Sequence, residues 1–206
     1  APSVRRALAM STSADRRLLV DDVLPDGVVV RIRALPYDDP VAQDLVEQVQ
    51  QEYVARYGGR DEAVVEPGEF LPPQGLFVAA EIDGEPVGSG AWRTLVGDRP
   101  ENRVAEIKRV YVAPGFRRRG IAQRIVAVLE SSAAEAGCRS VVLNSGGRQP
   151  EALALYEQLG YGPVAGYGVY ACAPDAVFLG KELAGVAPSS SDRSSADGEE
   201  EPTWAS

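Results

Sequence analysis

The segment Arg117-Arg118-Arg119-Gly120-Ile121-Ala122-Gln123 sets three cations at the mouth of a helical pattern, just after an apolar strand and Pro114. A helix entrance already carries positive partial charge and free backbone N–H groups, so arginines are electrostatically misplaced there unless an anion joins them. The N–H groups can point at a diphosphate, Gly120 permits close backbone approach, and the guanidinium groups add charge-assisted hydrogen bonds. The plainer reading is a solvated basic patch neutralised by neighbouring carboxylates. The strand before the segment and the amphipathic helix after it favour the anion site. A P-loop is excluded, because no lysine-serine pair follows the glycine.

Composition narrows the chemistry further. None of the 206 residues is histidine, which removes the Ser-His-Asp and Cys-His arrangements and most zinc sites. The cysteines, Cys138 and Cys172, are far apart and suggest neither a disulfide framework nor a metal centre, so no metal is expected. The chemistry is left to carboxylates, tyrosines, backbone groups or water. A net charge of −9 argues against nucleic acid and acidic membranes as partners. No run reaches the roughly 18 apolar residues of a membrane span. These features predict a soluble protein of the reducing cytoplasm.

The elements that must position the arginine segment are readable on both sides of it. Val28–Ile32 reads as a strand. Residues 38–59 read as a helix with Val41, Leu45, Val49 and Tyr53 at helical spacing and glycine at its end. Residues 60–74 hold three prolines and little periodicity, so they form a long loop, a candidate substrate wall. Two β-rich runs flank Asp83-Gly84, a hairpin signal. Another strand stops at Pro114, and the helix after Gly120 carries Ile121, Ile125, Val128, Leu129, Ser132 and Ala136 on one side. A short strand over 139–145 and a compact helix opened by Pro150 and closed by Gly160 follow, then strand-like pieces at 167–171 and 176–183. The order describes an α/β domain: a mixed, mostly antiparallel central sheet with helices on both faces. It is expected over residues 25–184, between a loosely held extension at 1–24 and a disordered tail at 185–206. That tail has five acidic residues against one arginine.

Arg117 to Ala122 match the pattern Arg/Gln-x-x-Gly-x-Gly/Ala at a strand-to-helix junction, and a second motif, "QPEALALYEQLGY", lies downstream. On these residues the chain resembles the GNAT superfamily of acetyl-coenzyme A dependent N-acetyltransferases, across roughly residues 28 to 183. The resemblance implies that Val110, Tyr111 and Val112 pair with the pantetheine arm like an added strand. It places Arg117, Arg118, Arg119, Gly120, Ile121, Ala122 and Gln123 around the diphosphate. Asn144 is either a polar contact for the pantetheine or a strand-end turn residue. Tyr156 would hydrogen-bond the coenzyme sulfur and protonate the leaving thiolate, or else pack in the core.

The acceptor end rests on the same resemblance. Freeing the lone pair of a lysine-like amine, pKa about 10.4, costs about 4–5 kcal/mol at neutral pH, so a base or water relay helps. Glu106, eleven residues before Arg117, stands where some family members place a glutamate base. It could instead pair with Lys108 or Arg109, or align the substrate ammonium. Tyr111, Tyr167 and Tyr170 are spare candidates for a relay. Glu52, Tyr53, Arg56, Tyr57, Glu69 and Phe70 would cover the acceptor, with Tyr53 favoured as core. The function implied is acetyl transfer from acetyl-coenzyme A to a primary amine of a small molecule or peptide, in a possible homodimer. The rival readings are a non-catalytic acyl-coenzyme A sensor or interaction module, and the same fold using a larger acyl donor.

Overall fold

The computed structural model describes residues 17–95, apart from 62 and 64, and residues 103–183. Most of the expected extension and the acidic tail lie outside the described residues. The strands are β1 (Leu18–Val23), β2 (Val29–Leu35), β3 (Gly75–Ile82), β4 (Glu85–Leu95), β5 (Val104–Val112), β6 (Ser140–Gly146), β7 (Gly162–Pro163) and β8 (Ala176–Glu182). The helices are α1 (Pro40–Tyr57), α2 (Ile121–Glu135) and α3 (Pro150–Gln158). One eight-stranded sheet runs in the order β1-β2-β3-β4-β5-β6-β8-β7. Every pairing is antiparallel except β5 with β6.

The structure departs from the sequence pattern at two segments. Residues 18–23, assigned to the loose extension, form β1 on the sheet edge, paired with β2 from Val23↔Val29 to Leu18↔Arg33. The edge strand is half exposed and carries Asp21 and Asp22, so it lacks the apolar alternation that marks a strand in sequence. Residues 167–171 are not a strand either. Gly168 adopts φ 62° and opens a 3-10 turn over Gly168–Tyr170, while the short strand β7 comes earlier.

The sheet builds a core on each face through strand alternation. Phe77, Ala79 and Ala91 face α1 residues Leu45 and Val49, together with Tyr37 and Phe70. Val78, Ala80 and Trp92 face α2 residues Ile125, Val126 and Leu129, with Tyr156 and Tyr161 in the same cluster. Close approach of α2 to the sheet needs glycine at 90: a Cβ there would meet Ile125 Cγ2 at 2.5 Å and Leu129 Cδ1 at 3.0 Å. The Asp83-Gly84 hairpin forms as expected, with φ values of 52° and 81° that suit a type I′ turn.

Candidate active site

β5 positions the site because it is paired with β6 over only part of its length. The parallel register runs from Val104↔Ser140 to Ile107↔Leu143 and stops, whereas β6 continues against β8 to Gly146↔Ala176. The cause is a bulge. Opposite β4 the register passes from Ser89↔Tyr111 to Ala91↔Lys108, which leaves one extra residue on β5. Arg109 sits in the bulge with φ 58°, and its carbonyl accepts a hydrogen bond from buried Ser89 Oγ at 2.9 Å. A bulge bends and twists its strand, so residues 108–112 leave β6 and expose an unpaired backbone edge.

A cleft of about 930 Å³ fills the resulting gap and ends at the entrance of α2. That size lies within the usual range for small-molecule sites, roughly 300–1,000 Å³. Gly120 caps the helix at φ 81°, and a Cβ added there would crowd Arg124 Nη1 at 2.8 Å. The first helical N–H groups have no partner within the helix. Of the residues expected around a coenzyme, Val110, Tyr111, Val112, Arg117, Arg118, Gly120, Ile121, Ala122, Gln123 and Asn144 line the cleft.

The three arginines separate. Arg118, at φ 61°, is exposed, lines the cleft, and makes no ion pair among the described residues. Arg117 donates through Nε to the Val112 carbonyl at 2.8 Å and pairs with Glu52 of α1 at 2.7 Å. Arg119 is absent from the lining. The left-handed turn at Arg118 sends it to the other side, where it pairs with Asp26 at 2.7 Å and lies over the Phe116 ring. Glu52 also holds Arg56 at 2.7 Å, and Arg56 pairs with Glu151 at the start of α3, so α1 is tied across the cleft to α3. The Arg56 guanidinium, and after it a backbone hydrogen bond at Glu151 itself, holds the Glu151 carboxyl below the usual carboxylate range.

Glu106 and Tyr156 both line this cleft. Glu106 is 5% exposed, accepts from Arg93 Nε at 2.8 Å, and has Lys108 Nζ 3.5 Å from its other oxygen. The Lys108 pairing was one of the readings left open. The stronger partner, Arg93, stands directly across the β4–β5 register from Glu106 and was missed. Only the strand register could have revealed it. Arg109, the other partner considered, turns instead to Asp61. Tyr156 is buried and meets Tyr161 edge-on at 5.3 Å; burial, then the nearby Tyr53 phenol, raises its pKa. Burial likewise pushes the Tyr53 phenol up to about 12. Tyr53 packs against the α1-side core and also lines the cleft, so the two readings of it meet in one residue. Tyr167 has its phenol raised by burial and then by the charge of Glu106. Tyr111 donates to Gln48 at 3.2 Å, and Tyr170 donates to Asp61 at 2.8 Å. Asp61 gave no sequence signal: it is one acid among several in a loop.

Among the described residues no cluster of three or more metal-ligating side chains occurs, and no helix is long and apolar enough to cross a membrane. The cleft runs from the split between β5 and β6 to the entrance of α2, with the Glu106 carboxylate and the Tyr156 phenol among its lining.

The family model of the acetyltransferase (GNAT) family matches residues 42–161. The chain is 27% identical over 148 residues to the Escherichia coli protein named uncharacterized N-acetyltransferase YjgM, covering 69% of this chain and 86% of that one. It is 28% identical over 151 residues to an IAA acetyltransferase of Azospirillum brasilense, covering 73% and 95%. In fold it is similar to a GNAT family acetyltransferase from Elizabethkingia anophelis solved with acetyl-CoA bound, at TM-score 0.51 and 16% identity, over 75% of this chain and 98% of that one. With the matched segment running from α1 through the split strands to Tyr161, the chain belongs to the GNAT family and is an acyltransferase.

Proposed function

We propose that the protein is an N-acetyltransferase that moves an acetyl group from acetyl-coenzyme A to a primary amine of a small molecule or peptide by direct attack. The observation that carries the reading is the unpaired edge of β5 beyond Ile107, which leads without interruption to the α2 entrance. The residues fit the coenzyme. The N–H groups at Gly120 to Gln123 and Arg118, which makes no ion pair among the described residues, suit the diphosphate, and the β5 edge that has left β6, apart from the Val112 carbonyl that Arg117 holds, suits the amides of the pantetheine arm. Asn144, on the opposite wall, can add a polar contact.

The acceptor nitrogen attacks the thioester carbonyl, the C–N bond forms, and the C–S bond breaks. A backbone N–H of Val110 or Val112 is suited to stabilise the oxyanion. Arg93 fixes one oxygen of Glu106, which leaves Oε1, beside Lys108, as the oxygen that takes the proton from the amine directly or through a water. The raised pKa of Tyr156 keeps its O–H protonated at neutral pH, so it remains a donor to the sulfur that leaves as thiolate. The test is thiol release from acetyl-coenzyme A across a panel of amines. We expect turnover with at least one primary amine and a roughly tenfold or greater fall in kcat for Tyr156→Phe, the lower part of what a positioned acid or base supplies. Donor binding without turnover on any amine, or turnover that Tyr156→Phe leaves unchanged, would overturn it.

A further inference from the structure

Three walls of the cleft meet at one carboxylate that the transfer chemistry does not use. Asp61 follows α1, and its side chain is 12% exposed. Its Oδ2 receives Arg109 Nη1, whose side chain is 4% exposed. Its Oδ1 accepts from the Tyr170 hydroxyl at 2.8 Å, across 109 residues of sequence, and from the Ala63 N–H at 3.0 Å. Its own N–H donates to the buried Gln50 side chain of α1 at 2.9 Å. The carboxylate is thus fixed from α1, from β5 and from the segment between β7 and β8, and Asp61, Arg109 and Tyr170 all line the cleft.

The residue Asp61 holds is the one that splits the sheet. Arg109 adopts φ 58°, a left-handed conformation that residues with a Cβ take only when their surroundings impose it. Ser89 holds the Arg109 carbonyl, and Asp61 holds its guanidinium. The next residue is Val110, the nearer candidate for the oxyanion N–H. A buried guanidinium without its carboxylate would be strongly disfavoured there, and the bulge would lose its anchor.

We propose that Asp61 is a positioning residue for the transfer reaction: through Arg109 it locks the β5 bulge that aims the Val110 N–H, and through Tyr170 it holds the far wall against the acceptor end. This role rests on the N-acetyltransferase reading, while the lock itself is a property of the backbone.

The experiment compares Asp61→Ala, Arg109→Gly, the double variant Asp61→Ala plus Arg109→Gly, and Tyr170→Phe in the full chain. It uses thiol release for kcat and KM and amide hydrogen exchange for residues 108–112. Asp61→Ala is expected to lower kcat at least tenfold and to speed exchange over 108–112 by a similar factor, with donor affinity changed less than about fivefold. The double variant is expected to recover both toward wild type, because glycine takes the left-handed conformation freely and leaves no buried guanidinium unpaired. Arg109→Gly alone, which strands Asp61, should do worse than the double variant. Tyr170→Phe should raise acceptor KM with little change in kcat. Global loss of fold in Asp61→Ala leaves the rescue decisive: a double variant that folds and turns over supports the lock. A double variant no better than Asp61→Ala, or an Asp61→Ala protein with wild-type kcat, overturns it. Wild-type protein that turns over no amine would sink the N-acetyltransferase reading and the positioning role together, whereas protected 108–112 amides lost in Asp61→Ala would still report the lock.

Discussion

The two ends of the cleft are built differently. The α2 end is contiguous: Arg117 to Gln123 supply the turn, the left-handed Gly120 and the free N–H groups within seven residues. The other end is assembled from distant segments. Glu106 meets Arg93 across 13 residues, Arg109 meets Asp61 across 48, and Tyr170 meets Asp61 across 109. Anion binding at a helix mouth needs only local backbone geometry, so it can be written in one short motif. Proton handling in a buried setting needs each charge matched by a partner, and the partners come from wherever the fold supplies them.

Variants can break this contrast at either end. The largest effect is expected from Glu106→Gln, which keeps the shape and a contact with Arg93 but removes the proposed base. It should lower kcat by about 10²- to 10⁴-fold while donor affinity stays near wild type, as measured by steady-state thiol release beside calorimetry. At the α2 end, Arg118→Ala should weaken donor binding about tenfold or more, the loss of one charge-assisted bond, with kcat at saturating donor preserved. Arg119→Ala sharpens the point. Its guanidinium is engaged by Asp26 outside the cleft, so donor affinity should stay within about twofold, since exposed pairs contribute little. Equal losses in the two arginine variants would contradict the separation seen at the helix mouth.

The smallest effect concerns acid. Burial opposes the charge of Asp61, yet Arg109, the Ala63 N–H, the Tyr170 hydroxyl and Lys108 together hold its carboxyl below the ordinary range. A depressed folded pKa contributes stability that is complete above the unfolded value, about 3.9, and is lost as pH falls through the lower folded value. Thermal unfolding of the wild type should therefore lose midpoint between pH 4 and pH 3 more steeply than that of Asp61→Asn. Parallel slopes would remove Asp61 from the acid response.

The same contrast explains what could be read in the chain. The helix mouth, the strand before it, the hairpin at Asp83-Gly84 and α3 between Pro150 and Gly160 are local patterns, and each forms where the sequence places it. The strand β1 escaped because its register with β2, not apolar alternation, makes it a strand. The turn at Pro25-Asp26-Gly27, where Leu24 N–H reaches the Val28 carbonyl at 2.8 Å, was the available signal. The bulge at Arg109 had none, since a non-glycine residue at positive φ is imposed by its neighbours. Arg93 as the partner of Glu106 follows from strand register, which hydrophobic pattern alone does not fix.

The central claim is that acetyl-coenzyme A seats its diphosphate at the α2 entrance and its arm along the open edge of β5. Titration calorimetry of the wild type and Gly120→Glu tests it most directly, with circular dichroism to verify that the variant folds. The account predicts one micromolar site per wild-type chain and a loss of at least about 100-fold in the variant, because a carboxylate and a Cβ both intrude where the phosphates and the left-handed turn must be. A folded Gly120→Glu protein with wild-type affinity, or a wild type that binds no acetyl-coenzyme A, would contradict it.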